Sequence, residues 1–284
     1  MTSKLSGTSS ATSNYVLGNI GQLLTASLLP VLLLLVINVG YVVLGIVSPT
    51  GGLEAGDSGI SAAGILVAIG WGLIGLYIYC WLIAKICRLY LTGEPASLVG
   101  SSGTLRAGFR ITIYYIAIAL ITFIPLILLF LVITFIQVGM TMSDPTGMNP
   151  IGMIAVVLLA IMGMLLFGWA QCRFVVGFPP LALDGRVGLF DGWRLSKGSS
   201  LGLFGRAVAI TLLWVVVMLV FLGIFVFVVL PLLGGDLTTL SGNDTQLMVY
   251  ALVVQQALMT ILIVPYYWYL VVMFCEAYRR LSAA

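Results

Sequence analysis

Residues 111–138 read ITIYYIAIALITFIPLILLFLVITFIQV, a run without a single Asp, Glu, Lys or Arg. About twenty apolar residues cross a bilayer core as a helix, so this stretch is long enough to span one and to tilt. Arg106 and Arg110 stand before it, and the turn sequence Asp144-Pro-Thr-Gly follows it. A base on one side and an acidic turn on the other is a pattern that recurs along the chain. Spans are expected near 20–47, 60–87, 111–138, 151–175, 207–233 and 246–275.

That parse sorts all twelve Lys and Arg residues to one side. Lys4 precedes the first span, Lys85 and Arg88 close the second, and Arg106 and Arg110 open the third. Arg173 closes the fourth, Arg186, Arg194, Lys197 and Arg206 fill the next connector, and Arg279 and Arg280 close the sixth. The three opposite loops carry only Glu54, Asp57, Asp144, Asp236 and Asp244. Short loops rich in Lys and Arg stay cytoplasmic. The expected fold is therefore an all-α integral membrane protein of six transmembrane helices in three hairpins, with both termini cytoplasmic. Twelve bases against Glu94, Asp184, Asp191 and Glu276 leave +8 inside, and the five remaining acids give −5 outside.

Composition agrees. The 284 residues are 61% hydrophobic and 7% charged, with a mean hydropathy of +1.20, far from the balance of a soluble domain. Residues 1–19 are expected to be a flexible cytoplasmic tail, because Met1–Asn14 is rich in Ser and Thr and the apolar run behind it is too long for a signal peptide. Residues 20–284 are then one membrane domain. The bases are spread along membrane boundaries, which points to anionic headgroups and not to nucleic acid. Cys80, Cys87, Cys172 and Cys275 would face a reducing compartment, so disulfides are not expected. No metal site or cofactor is expected: the chain has no His and no CxxC.

The second inner connector is the richest stretch outside the spans. Val187, Phe190 and Trp193 recur at three-residue spacing with Asp191, Arg194 and Lys197 offset, which predicts a short amphipathic helix over 187–197. Trp81, Trp169, Trp193 and Trp268 join several tyrosines at the same boundary. In the second span, Gly64, Ala68 and Gly72 place small residues on one face, the spacing that lets two backbones approach closely.

Two prolines are matched in depth. Pro125 lies 15 residues after Arg110, and Pro265 lies 14 before Arg279. At about 1.5 Å per residue each is roughly 21–22 Å from a cytoplasmic charge. Each frees the carbonyl four residues earlier, with Thr122 and Thr260 beside it. They are hinge candidates. No ionisable residue is expected at mid-membrane, where proton relays and ion pathways place theirs. The interior polar groups are neutral amides such as Asn38, Gln137, Gln255 and Gln256, which more often join helices. Catalytic patterns are lacking as well: the chain has no His to serve as general base, no Walker motif, no GxSxG and no HExxH.

The stretch from Arg173 to Arg206 carries Phe178-Pro179-Pro180, Leu183-Asp184-Gly185, Asp191-Gly-Trp-Arg and Leu195-Ser196-Lys197-Gly198. It resembles the second cytoplasmic connector of the membrane domain of glycerophosphoryl diester phosphodiesterases. It is similar, too, to related uncharacterised six-helix bacterial inner-membrane proteins, including an enterobacterial envelope-associated group. The resemblance implies a six-helix fold in a bacterial inner membrane, with Pro179, Asp184, Ser196 and Gly198 shaping the connector. It implies no reaction, because that family's activity belongs to a separate soluble barrel that uses histidines. The Ser-x-Gly helix entrance also offers a place for a lipid phosphate at a helix N-terminus.

Together these features predict a non-enzymatic inner-membrane protein of the envelope. It would act through a basic, aromatic cytoplasmic face that binds anionic lipid, a membrane-protein partner or a second copy of itself. Arg186, Arg194, Lys197 and Arg206, with Phe190 and Trp193, are the headgroup candidates. The rival readings are a transporter or channel for a small or lipid-like solute near Pro125 and Pro265, and an accessory subunit of a larger complex.

Overall fold

A computed structural model describes residues 5, 7–43, 62–143, 150–185, 187–232 and 245–283. Its elements in chain order are α1 (Thr8–Gly18), α2 (Ile20–Val43), α3 (Ala62–Thr92), α4 (Ser102–Ser143), α5 (Pro150–Val175), α6 (Phe178–Ala182), α7 (Asp191–Leu195), α8 (Ser200–Ile224), a π-helical turn (Phe225–Val229), α9 (Leu230–Leu232) and α10 (Thr245–Ser282). Among the described residues the fold is all-α. Six helices are long and apolar enough to cross a membrane. In hydrocarbon, backbone polar groups must be satisfied within the segment, which is why long apolar runs take this form.

The long helices close a ring. Each of α2, α3, α4, α5, α8 and α10 packs on the next, α10 returns to α2, and α3 also meets α10 across the ring. Packing is uneven. In the most apolar window of α10, 44% of residues are buried, against 6% for α8, so α8 is the least buried of the six. The main core gathers at the basic end, around Ile86, Ile111, Phe174 and Val272. There α6 inserts between α3, α4 and α10, burying Phe178, Pro179 and Leu181.

Helix ends depart from the hydropathy reading. α3 continues to Thr92, beyond Lys85 and Arg88; α4 begins at Ser102, before Arg106; α10 runs to Ser282, past Arg280. Hydropathy stops at the first charge. Backbone hydrogen bonding does not, provided the charged side chains find partners. The segment expected as a tail contains α1, packed along α10. Thr8, Thr12 and Val16 are its buried face. The Thr8 and Thr12 hydroxyls donate to the carbonyls of Leu5 and Thr8 at 2.8 and 2.9 Å, so each threonine meets its own hydrogen-bonding need and can be buried.

α3 packs centrally, against α2, α4, α6 and α10, but its closest described approach is not on the small-residue stripe. Gly72 is exposed and Ala68 only half-buried, while the Gly64 side is outside the described side chains. The tight crossing is α3 on α4 at Gly108, where a Cβ would come within 2.9 Å of Trp81 Cα. Proline explains the irregular end of α8. An uninterrupted α-helix through Pro231 would drive its ring against the carbonyl four residues earlier; the wider π turn over Phe225–Val229 precedes it. We expect Gly108→Ala to lower the thermal stability of the detergent-purified protein by about 1–3 kcal/mol through overpacking. Gly70→Ala, on open helix surface with nothing within 4 Å, should not.

Candidate functional site

The bases fall into two groups with different fates. Arg88 binds Glu94 (Nε to Oε2, 2.6 Å), the Ala182 carbonyl (3.2 Å) and Asp184 (3.2 Å). Arg110 takes the other oxygen of Asp184 at 3.0 Å. Asp184 thus ties α3, α4 and the second connector together, from a left-handed backbone at φ 62°. Such a conformation is uncommon outside glycine, though Asp tolerates it better than most. The hydrogen bond from Arg88 holds the Glu94 carboxyl below its usual range, against a smaller opposing effect of burial. Lys85 is buried, donates to the Leu98 carbonyl at 2.7 Å and lies over the Trp81 ring.

Glu276 is fully buried. It accepts from the Tyr90 hydroxyl at 2.5 Å, Arg280 Nε at 2.6 Å and Arg279 Nη2 at 2.8 Å. Tyr90 in turn meets Tyr15 of α1 edge-on at 4.6 Å. One residue before Glu276, the Cys275 thiol donates to the Cys87 sulfur at 3.2 Å. Scanning acids singly misses this cluster. The signal was present, because Glu276, Arg279 and Arg280 stand at i, i+3 and i+4 on one helix face.

Arg173 is a further internal base. Its guanidinium stacks on Trp193 at 3.7 Å and lies 5.2 Å from Trp169. It donates to the Trp193 carbonyl at 2.8 Å and to the Ser196 hydroxyl at 3.2 Å. Ser196 is therefore buried and turned inward, and is not placed to meet a phosphate at the entrance of α8. Gly198, at φ 81°, provides the left-handed turn before α8, and Pro179 is buried in α6.

The expected amphipathic helix over 187–197 is shorter, Asp191–Leu195. Asp191 spends a carboxylate oxygen on the Gly188 amide at 2.6 Å, which starts the helix late. The Gly192 backbone presses on α5, where a Cβ would come within 2.6 Å of the Phe174 carbonyl. Arg194 is 82% exposed and only 3.9 Å from Asp191, and Lys197 is exposed. Arg206 differs from the expectation of a rim base: it is partly buried, and its Nη1 is sealed without a hydrogen-bond partner among the described residues. Arg186 lies outside the described residues.

Three cavities adjoin these groups. A crevice of about 470 Å³ between α4 and α5 contains Pro125, Thr122 and Gly163 and is bounded by Phe190 and Trp193. On the other side of α7, Arg194 opens on a surface hollow shared with Tyr278 and Ser282. A larger chamber of about 690 Å³ occupies the ring between α3, α4, α5, α8 and α10, with Phe178 and Pro179 of α6 at its wall. No charged residue lines it. It is partly open to the surroundings of the bundle and is not a sealed void.

The two hinge prolines do not share a cavity among those described. Each instead has a preceding threonine, three residues before Pro125 and five before Pro265, held by an amide from a neighbouring helix. Gln171 Nε2 donates to Thr122 Oγ1 and Asn38 Nδ2 to Thr260 Oγ1, both at 2.8 Å. Asn38 thus joins helices; Gln171 does the same and was not singled out from sequence.

Comparison with family models, curated proteins and solved structures finds no match to this chain. The resemblance of residues 173–206 to phosphodiesterase membrane domains rests on the motif alone; beyond it, the fold is a multi-span helical bundle with no β-barrel among the described residues.

Two outcomes follow from the charge clusters. Glu276→Ala should destabilise the protein by about 3 kcal/mol or more, since removing one partner of a buried pair strands the others; Glu276→Gln should cost less, by keeping acceptors for Tyr90 and the arginines. Glu94 has a folded pKa below its unfolded value, so its contribution is complete above the unfolded pKa of about 4.3 and is lost as pH falls through the folded value. Thermal scans of wild type and Glu94→Gln between neutral pH and the acid limb should therefore converge as the pH drops.

Proposed function

We propose that the protein is a non-enzymatic membrane protein whose basic, aromatic end faces the cytoplasm and holds anionic lipid. The observation that carries this reading is the division of α7 between two environments. Phe190 and Trp193 border an apolar crevice between α4 and α5, while Arg194 opens on the adjoining surface hollow. Exposed Lys197 follows within one helical turn. A phospholipid has the matching division, an acyl chain for the crevice and an anionic phosphate for the bases. Arginine suits phosphate because its planar fork donates two parallel hydrogen bonds.

The orientation is part of the proposal. Three hairpins with both termini and both long connectors inside account for the one-sided distribution of all twelve bases. Single thiols placed at Asp57, Asp144 and Asp236 in a cysteine-free background should react with an impermeant maleimide from outside, and one at Ser199 should not. Labelling of Ser199 from outside would overturn the arrangement.

Lipid retention tests the binding. In nanodiscs containing phosphatidylglycerol and phosphatidylcholine, native mass spectrometry of the wild type should show phosphatidylglycerol retained preferentially. The double variant Arg194→Gln, Lys197→Gln should lose that preference several-fold while keeping its thermal stability, because neither side chain supports the fold. Unchanged preference would leave these bases as orientation signals only. Purified protein should release no glycerol phosphate from glycerophosphocholine above a mock preparation.

A further inference from the structure

We propose that the central chamber is a binding site for an uncharged amphiphile, an apolar chain ending in a hydroxyl or carbonyl group. Its size, about 690 Å³, lies within the range of about 300–1,000 Å³ typical of small-molecule sites. Its wall is contributed by five of the six long helices and by α6, and contains no Asp, Glu, Lys or Arg. A phosphate or carboxylate would enter without a counter-ion, at high desolvation cost. A pure hydrocarbon would satisfy the wall but not its few polar atoms. Gln171 spends its amide nitrogen on Thr122, and its oxygen has no donor among the described residues. The Tyr267 and Tyr115 hydroxyls have no hydrogen-bond partner among the described residues either, whereas Tyr266 is paired with Thr211 at 3.2 Å. One amide oxygen and two hydroxyls in an otherwise largely apolar wall match a neutral polar group on a long chain.

The site is chemically distinct from the basic rim around α7. It is bounded by aromatic and aliphatic side chains, among them Phe204 and Val208 on α8 and Phe274 on α10. α8 is the least buried of the long helices, so the wall on that side has the fewest contacts to break when a chain enters laterally from the bilayer.

The test uses a diazirine-bearing long-chain alcohol as probe, with the full chain in nanodiscs. After illumination, adducts should concentrate on peptides carrying 204–212 and 266–274, and excess hexadecanol should reduce them several-fold. Hexadecyl phosphate should not. Val208→Trp, which fills the chamber, should lower labelling several-fold; Leu213→Trp, on the exposed face of the same helix, should leave it unchanged. Tyr267→Phe removes only a hydroxyl and should weaken hexadecanol competition, so the site can still be tested if the tryptophan variant fails to fold. Arg194→Gln, Lys197→Gln should have no effect, which separates this site from the rim. Adducts spread over outward faces and insensitive to Val208→Trp or Tyr267→Phe would overturn the proposal. So would equal competition by hexadecyl phosphate.

Discussion

Glu276 has no exposed surface, and the basic end of the bundle is organised around keeping that charge paired. A buried carboxylate is tolerable only when its oxygens are fully engaged. Three donors meet it: Tyr90 from α3, and Arg279 and Arg280 from its own helix. Satisfying this one residue fixes the closing contact across the ring, between α3 and α10. It also sets where α1 lies, because Tyr15 packs on Tyr90 and the Gly7 backbone runs beside the Arg280 guanidinium. In lipid, apolar faces gain little by meeting one another, so helix order must come from packing and polar contacts. Such contacts are dense at this end, where Asp184 bridges Arg88 and Arg110 and Arg173 is held between two tryptophans.

Deeper in the bundle the same rule acts through neutral groups. Thr122 and Thr260 each precede a proline and each receive an amide from the adjacent helix. A proline removes one backbone hydrogen bond and weakens the helix locally. The Gln171 and Asn38 contacts pin the helix on the side where it is weakened. The prolines are therefore held by separate pairs of helices, α4 with α5 and α10 with α2, and do not form a shared hinge.

The legible part of this architecture was the part written in hydropathy and charge. Six apolar runs mark six long helices, because hydrocarbon leaves an uninterrupted run no other backbone solution. Features that rest on side chains satisfying each other were hidden. The polar composition of α1 concealed a buried face, since threonines that bond their own helix count as polar in any scale. Gly64, Ala68 and Gly72 advertised a close crossing, yet the tight approach is at Gly108, a lone glycine between two charges. Spacing says which residues share a face, not which face meets a neighbour. At the rim, counting bases treated Arg173, Arg206 and Arg194 alike; they prove to be caged, half-sealed and exposed in turn.

That sorting changes the electrostatic argument for lipid binding. Counted by sequence, the basic side has a surplus of +8. Much of the positive charge is spent internally. Arg88, Arg110, Arg279 and Arg280 engage acids, while Lys85 and Arg173 are buried on carbonyls and rings. Arg106 and Lys197 remain exposed without an acid partner among the described residues, and Arg194 is nearly free. At about 1 kcal/mol per base near an anionic leaflet, three such residues supply on the order of 3 kcal/mol. That is enough to bias which lipid stands at the rim and too little to hold it there. Residence must come from the chain, where each buried methylene adds about 0.8 kcal/mol only against water and far less against other lipid tails. If the rim holds lipid as proposed, the crevice beside Pro125 has to act through shape, by fitting a chain better than the fluid bilayer does. Charge at the rim would then select the headgroup, and the packed wall of α4 and α5 would set how long it stays.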